Sequence, residues 1–385
     1  MKIGILTFHN ADNYGAVLQC YALQKSISEN FPEHKVFIVN HKNNLIESAY
    51  AVFPFAWDKT RSLIGNILTL FSVCAMIPAR RKARKEFFVF RAENFNLGDA
   101  NLSDYDIVIF GSDQIWNTRL IGSDRTFFGS DYNGIKIAYG ASDGGELLIE
   151  ENVKLDLKGF KSISCRESSF SERLKREADI IAKTVCDPVF LLSENQWKKK
   201  SLLPKENGYV LVFKIQQNEN LDSVAKSIGE KLNKKIIQIF YACSVKQFFI
   251  ASGKKRITIS PKQFVGYFAN AAFVLTTSFH GTAFSIVFEK PFYTLCMAKG
   301  KERVIDLLNR IGLRDRYIMQ VNNNQTLSED IYTEAVKQKI ADYIQDSKDW
   351  INKTIAEFTG GGYKCIVIHC FTSSLSHTSA QGCVA

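Results

Sequence analysis

Four apolar residues, Ala272-Phe273-Val274-Leu275, are followed by the polar Thr276-Thr277-Ser278 and then by Phe279-His280-Gly281-Thr282-Ala283. The apolar run has the length of a buried strand, and the polar residues end it. Gly281 is expected to let the backbone turn sharply. Beyond it Ala283, Ile286 and Val287 recur at helical spacing up to Pro291, which predicts a helix from Thr282. Strand, tight turn and helix in that order form the unit of an α/β sheet. Ligands of such sheets bind beyond the carboxyl ends of the strands, and the free N–H groups at a helix start attract anions. His280 falls at that edge, either as a functional side chain or as a turn residue whose ring is satisfied locally.

The same alternation runs through most of the chain. Strands are predicted over 2–8, 36–40, 105–110, 135–139, 162–165 and 184–186. After a join at Asn207-Gly208 they resume over 209–215, 235–240, 257–259, 272–275 and 291–296. Helices are predicted from Gly15, over 221–232, 303–311 and 331–358, and after Ser260-Pro261-Lys262-Gln263, a capping box with Pro at the first helical position. At 385 residues the chain is long for one core. It reads as an N-terminal Rossmann-like domain over 1–200 and a C-terminal one over 205–330, facing across a cleft. The helix 331–358 packs back on the first domain.

Polar residues collect where these strands end. Asn13 and Gly15 follow the first strand and read equally as ligand contacts or as turn formers. Gly111-Ser112-Asp113 follows the third, with Asp113 either a carboxylate in the cleft or an N-cap. Arg166-Glu167 follows the fifth. Arg there suits bidentate capture of carboxylate or phosphate, or else pairs with Glu167 to join two loops.

Charge and cysteine usage narrow the class. The net charge is +10, and residues 78–91 supply half of it through Arg80, Arg81, Lys82, Arg84, Lys85 and Arg91 against Glu86 alone. The apolar residues 63–77 come just before. They are too short and too polar to span a bilayer, which leaves a helix lying in a membrane interface or one packed on the domain with its basic end in water. No zinc-finger spacing or RNA-binding aromatic signature points to nucleic acid. Nine scattered cysteines without a C-x-x-C pair argue against a disulfide framework and for a reducing cytoplasm, and no secretory signal is expected. Residues 360–385 hold three of the cysteines and no acid. They read as an atypical tail; Cys365, His369, Cys370 and His377 fit no standard zinc spacing.

Ser278-Phe279-His280-Gly281-Thr282-Ala283-Phe284 resembles the signature near the C-terminal end of the polysaccharide pyruvyl transferase family. Four further stretches match that family in the same order. They are Gly4-Ile5-Leu6-Thr7-Phe8 with Asn13-Tyr14-Gly15-Ala16-Val17-Leu18-Gln19, then Gly111-Ser112-Asp113-Gln114-Ile115-Trp116-Asn117, Ser164-Cys165-Arg166-Glu167, and Asp187-Pro188 before Leu191-Leu192. The resemblance implies a fold similar to the B-type glycosyltransferases. It implies transfer of pyruvate from phosphoenolpyruvate to a sugar of a polysaccharide or its precursor, as a ketal on two hydroxyls, with release of phosphate. Phosphoenolpyruvate is then a co-substrate, no cofactor or metal is expected, and the acceptor is a sugar or a lipid-linked oligosaccharide. The setting implied is bacterial exopolysaccharide or envelope synthesis in the cytoplasm. The apolar run followed by clustered Arg and Lys over 63–91 is, separately, the candidate for a peripheral contact at the inner membrane face.

Under that resemblance His280 is the acid or a cationic phosphate ligand, since imidazole titrates near neutrality. Arg166 clamps the donor, while Asp113 and Glu167 are bases or acceptors for sugar hydroxyls. Asn13, Gly15, Gly111, Ser112, Ser278, Gly281 and Thr282 are the substrate-binding candidates. Many family members carry Arg two residues before the His, where this chain has Ser278; Arg303 and Lys290 are the candidates to replace it. Two alternatives stay open: a glycosyltransferase of the same fold with a nucleotide-sugar donor, and a non-catalytic sugar-phosphate-binding module.

Overall fold

The apolar runs become strands that are covered on both faces. Tyr209–Phe213 is buried at all five positions, and Ile107–Asp113 at all but its last. Parallel strands enclosed by helices have no reason to alternate. The computed structural model describes residues 1–55, 57–215, 221–240, 251–295, 300–319 and 330–360. These residues hold two six-stranded sheets, parallel in every pairing. The first contains β1 (Lys2–Leu6), β2 (Lys35–Ile38), β3 (Ile107–Asp113), β4 (Ile135–Ala141), β5 (Ser162–Cys165) and β6 (Lys183–Thr184). Their order is β2-β1-β3-β4-β5-β6. The second contains β7 (Tyr209–Phe213), β8 (Ile236–Ile239), β9 (Lys254–Arg256), β10 (Ala271–Thr276), β11 (Phe292–Leu295) and β12 (Tyr317–Ile318). Its order is β12-β11-β10-β7-β8-β9, the doubly wound arrangement of dinucleotide-binding folds. Each sheet reverses its direction of growth once, between β1 and β3 and between β7 and β10.

An aromatic core joins the two halves. Tyr14, at the start of the helix Tyr14–Asn30, stacks on Phe264 of the helix Pro261–Ala269 with ring centroids 4.4 Å apart. Its hydroxyl donates to the Ile259 carbonyl at 3.0 Å. Phe87 packs on the same tyrosine at 5.0 Å. The helix Glu334–Thr359 touches both halves. Trp350 lies 6.2 Å from Tyr139, the Cys186 N–H donates to Ser347 Oγ at 2.9 Å, and the Arg310 guanidinium sits over Tyr343.

Four sequence expectations are corrected. Residues 63–77, read as too short and too polar to span a bilayer, open a single helix, Leu63–Asn94, with Pro78 inside it, that is long and apolar enough to cross one by length and composition. The proline costs a backbone hydrogen bond, but Met76 on one side packs with Phe240 and Ala251, and Phe87 and Phe90 on the other lie in the main core. The third strand of the second sheet is Lys254–Arg256 rather than 257–259, in register with β8. The helix after β10 begins at Phe279, so Gly281 lies inside its first turn. A Cβ there would overlap Thr276 Oγ1, so close approach rather than a turn explains that glycine. The terminal helix begins at Glu334, since Ile331 and Tyr332 are buried ahead of it. The tail cysteines and histidines lie outside the described residues, as does Cys296 at the end of the predicted 291–296 strand.

The anchored half of the long helix gives a direct test. Phe87 is fully buried and its neighbour Phe88 exposed. Phe87→Ala is expected to cost about 3–5 kcal/mol and Phe88→Ala less than about 0.5 kcal/mol, read from urea unfolding. Equal losses would contradict the helix orientation.

Candidate active site

A cavity of about 300 Å³ lies between the halves. Its walls come from the ends of β1 and β3 and the residues after them (Phe8, Asn13, Asp113, Gln114) and from the ends of β7 and β10 and the residues after them (Phe213, Ile215, Ser278, His280), with Tyr50, Phe279 and Arg303. These are the strand ends at which each sheet reverses its growth, where ligands of open α/β sheets bind. Here the two crevices face one another.

Two helix starts meet at this point. Asn13 caps the helix Tyr14–Asn30, its Oδ1 accepting from Gly15 N at 2.9 Å and Ala16 N at 3.3 Å. Ser278 caps the helix Phe279–Val287, its Oγ accepting from Gly281 N at 3.3 Å. A Cβ on Gly15 would overlap Nδ1 of His280. Gly15 is therefore needed for the contact between the domains rather than for a turn. Both N-terminal ends direct partial positive charge at the cavity.

Below the cavity lies a buried charge cluster. Arg166 donates from Nη1 to Asp187 Oδ2 at 2.6 Å and from Nη2 to Asp113 Oδ1 at 3.2 Å, and its side chain is 1% exposed. His280 Nε2 is 3.6 Å from the same Asp187 oxygen. Arg303 Nε is 3.7 Å from Glu167 Oε1, which accepts from Ser142 Oγ at 2.7 Å. Both guanidinium groups sit near the Phe279 ring, at 5.2 Å for Arg166 and 5.7 Å for Arg303. Asp113 has φ 81°, a conformation that costs a non-glycine residue about 1–3 kcal/mol and collects at functional sites.

The electrostatics follow from burial and pairing. Burial alone would raise the Asp187 carboxyl, but the charges of His280 and Arg166 outweigh it and hold it well below the usual carboxylate range. Burial raises Glu167, with Arg166 and Arg303 opposing. Burial and the neighbouring Arg166 weigh against the charge on Arg303, so a further anion beside it would be favourable. Arg166 Nε, Glu167 Oε2, His280 Nε2 and Arg303 Nε are buried with no hydrogen-bond partner. Buried polar atoms without partners are rare and call for a reason; of these four residues His280 and Arg303 line the cavity, where a polar ligand would supply one.

The structure sorts the residues expected from the sequence. His280, Asp113, Asn13, Gly15 and Ser278 line the cavity. Arg166, expected as a donor clamp, has both terminal nitrogens committed to Asp187 and Asp113. Glu167 lies behind Arg303. Gly111, Ser112, Gly281 and Thr282 build the frame. A Cβ on Gly111 (φ +121°) would overlap the Tyr139 carbonyl, Ser112 Oγ donates to Gly140 O at 2.9 Å, and Thr282 Oγ1 lies 2.6 Å from Thr294 Oγ1. Of the two cations proposed to replace the family's arginine, Arg303 reaches the cavity, whereas Lys290 does not line it. Asp187 and Tyr50 were not among the expected site residues. Asp187 follows a strand end, the same signal that marks Arg166. Tyr50 reaches the cavity from a short helix, Asn44–Ala49, that carries no motif; burial pushes its hydroxyl up to about 12.

The polysaccharide pyruvyl transferase family profile matches residues 13–295. The chain belongs to that family. It is accordingly a transferase, with a sugar or polysaccharide acceptor. No curated protein sequence matches it. Among solved structures it is similar to a Listeria monocytogenes protein described as a UDP-N-acetylglucosamine 2-epimerase, at 12% identity and TM-score 0.52, covering 94% of this chain and 98% of that one. It is also similar to MnaA of S. aureus, at 12% identity and TM-score 0.51, covering 93% and 97%. These likenesses concern the fold, that of the B-type glycosyltransferases.

Asp187 ties the cluster together and can be tested by stability. Asp187→Asn removes one partner of a buried pair, so a loss of about 3–5 kcal/mol is expected at neutral pH. A carboxylate depressed in the folded state contributes stability above its unfolded value of about 3.9 and loses it as pH falls toward the folded one. The wild-type thermal midpoint should therefore drop more steeply below about pH 4 than that of Asp187→Asn. Identical acid slopes would show that Asp187 is not held ionised.

Proposed function

We propose that the cavity transfers pyruvate from phosphoenolpyruvate to two hydroxyls of one sugar, forming a ketal and releasing phosphate. The observation that carries this reading is His280 at 3.6 Å from Asp187 with Arg303 on the same cavity wall, a proton source beside an anion site. The donor brings a carboxylate and a phosphate. Arg303 and the first N–H groups of Phe279–Val287 supply the positive end that receives them. Arg166 and Glu167 are positioning residues that hold Asp113 and Arg303.

His280 gives its proton to the methylene carbon. The double-bond electrons form the new C–H bond, and the adjoining carbon becomes oxocarbenium-like. Asp187 orients the ring and stabilises the imidazolium before transfer. The first sugar hydroxyl bonds to that carbon, and its proton returns to His280. The carbon–oxygen bond to phosphate then breaks, the phosphate leaving with the electron pair toward Arg303. The second hydroxyl closes the ring, and its proton passes through Asp113 to the departing phosphate. One proton enters the methyl group and one leaves as hydrogen phosphate, which balances the two lost by the sugar. The cations in this scheme are side chains, so no cofactor takes part.

The competing reading is glycosyl transfer from a nucleotide sugar, since the similar S. aureus MnaA structure is a complex with UDP. A screen of sugar acceptors with phosphoenolpyruvate should release inorganic phosphate and continue in EDTA. Nucleotide release from a nucleotide sugar, without any response to phosphoenolpyruvate, would overturn the donor. His280→Ala should lower kcat per folded molecule by about a hundredfold or more, beyond any fall in its thermal midpoint. Arg303→Ala should mainly raise KM for phosphoenolpyruvate, and Arg303→Lys should recover it only in part because a point charge does not reproduce a planar fork. An unchanged kcat per folded molecule in His280→Ala would make that histidine structural.

A further inference from the structure

The helix Leu63–Asn94 is anchored from its middle onward, where Met76 packs with Phe240 and Ala251, Phe87 and Phe90 are buried and Arg91 donates to Asp12 at 2.8 Å. At its start Leu63, Ile64, Leu68 and Phe71 are each more than 60% exposed. With Ile67, Cys74 and Ala75 they fall within an arc of about 140° at 3.6 residues per turn. The polar residues in the run do not interrupt this face. Asn66 is buried; its Oδ1 accepts from Asp58 N at 3.0 Å and its Nδ2 donates to Asp58 O at 2.9 Å. Thr69 Oγ1 donates to Gly65 O at 2.8 Å. Past Pro78 the same arc continues through Arg81, Lys82 and Lys85, all exposed. One helix face is thus apolar for about four turns and cationic for the next two.

That pairing is complementary to an anionic bilayer, with apolar side chains among the acyl chains and cations at the phosphates. By length and composition the helix is apolar enough to cross a membrane, but the topology excludes a crossing. The chain enters the helix from β2 and leaves it toward β3, and both strands flank β1 in one sheet. A single crossing would divide that sheet between the two sides.

We infer that residues 63–85 dock the protein on the surface of an anionic lipid bilayer, with the helix start sunk into the interface and Arg81, Lys82 and Lys85 at the headgroups. This stands independently of the donor chemistry. Arg80 and Arg84 line a small pocket with Asp12 and Tyr50, and Tyr50 also lines the main cavity.

The test uses the full chain with vesicles of phosphatidylcholine alone or mixed with phosphatidylglycerol. Binding is read by co-sedimentation and by quenching with brominated lipid of Trp57 in a Trp350→Phe background; Trp57 is exposed, Trp116 and Trp197 are fully buried, and Trp350 is half-buried against Tyr139. Binding should favour the anionic vesicles and weaken between about 0.1 and 0.5 M NaCl. The double variant Leu68→Glu, Phe71→Glu should lose binding to both kinds of vesicle. The triple variant Arg81→Glu, Lys82→Glu, Lys85→Glu should lose at least about tenfold in affinity for anionic vesicles alone. Equal binding to neutral and anionic vesicles, no binding to either, or binding that resists a carbonate wash would each overturn the inference. So would a wild-type dimer that Leu68→Glu, Phe71→Glu converts to a monomer without any vesicle binding, since a second copy would then occupy the face.

Discussion

The stacking of Tyr14 on Phe264 sets the geometry on which the candidate site depends. The rings are nearly parallel, 8° apart in plane and 4.4 Å between centroids, and they belong to different domains. Such a pair contributes about 0.5–1.5 kcal/mol beyond the area it buries. Its larger effect is positional. Gly15 is the next residue along the chain, and its missing Cβ is what allows His280 to come against the backbone there. The buried cluster around Tyr14, Phe87, Phe264 and Phe284 extends through both halves, so the cavity walls are held by one core rather than by two cores meeting at a polar seam.

The charge cluster is built on that closure. Arg166, Arg303 and His280 lie among Asp113, Asp187 and Glu167. Burying such groups is expensive unless each finds a partner. Arg166 finds two carboxylates at hydrogen-bond distance, whereas Arg303 has one at 3.7 Å and otherwise donates to the neutral Gln114 amide oxygen at 3.1 and 3.2 Å. This asymmetry separates a guanidinium that fixes the geometry from one with capacity left for an anion. The strained backbone of Asp113, φ 81°, holds its carboxylate where it can face both Arg166 and the cavity.

The sequence by itself determined the parallel α/β class, the division into two halves and the strand ends at which the candidate site residues lie. These are local properties: buried strands need continuous apolar runs, helix starts need caps, and Asn13, Ser193, Ser260 and Ser278 all cap as their side chains allow. The family motifs around His280, Arg166 and Asp113 were legible for the same reason, since each is a short segment at one strand end. Tertiary structure decided what those residues do. Arg166 became a buried strut because Asp187 and Asp113, 21 residues after it and 53 before, converge on its guanidinium. Arg303 took the position facing the cavity because the helix after β11 starts beside Phe279. Gly15 and Gly281 are needed for contacts with His280 and Thr276, which no local pattern encodes. Whether an apolar helix is covered is likewise a question of long-range packing. The composition of residues 63–77 is the same for a core helix and an exposed one, and only the surrounding fold leaves Leu63, Ile64, Leu68 and Phe71 uncovered.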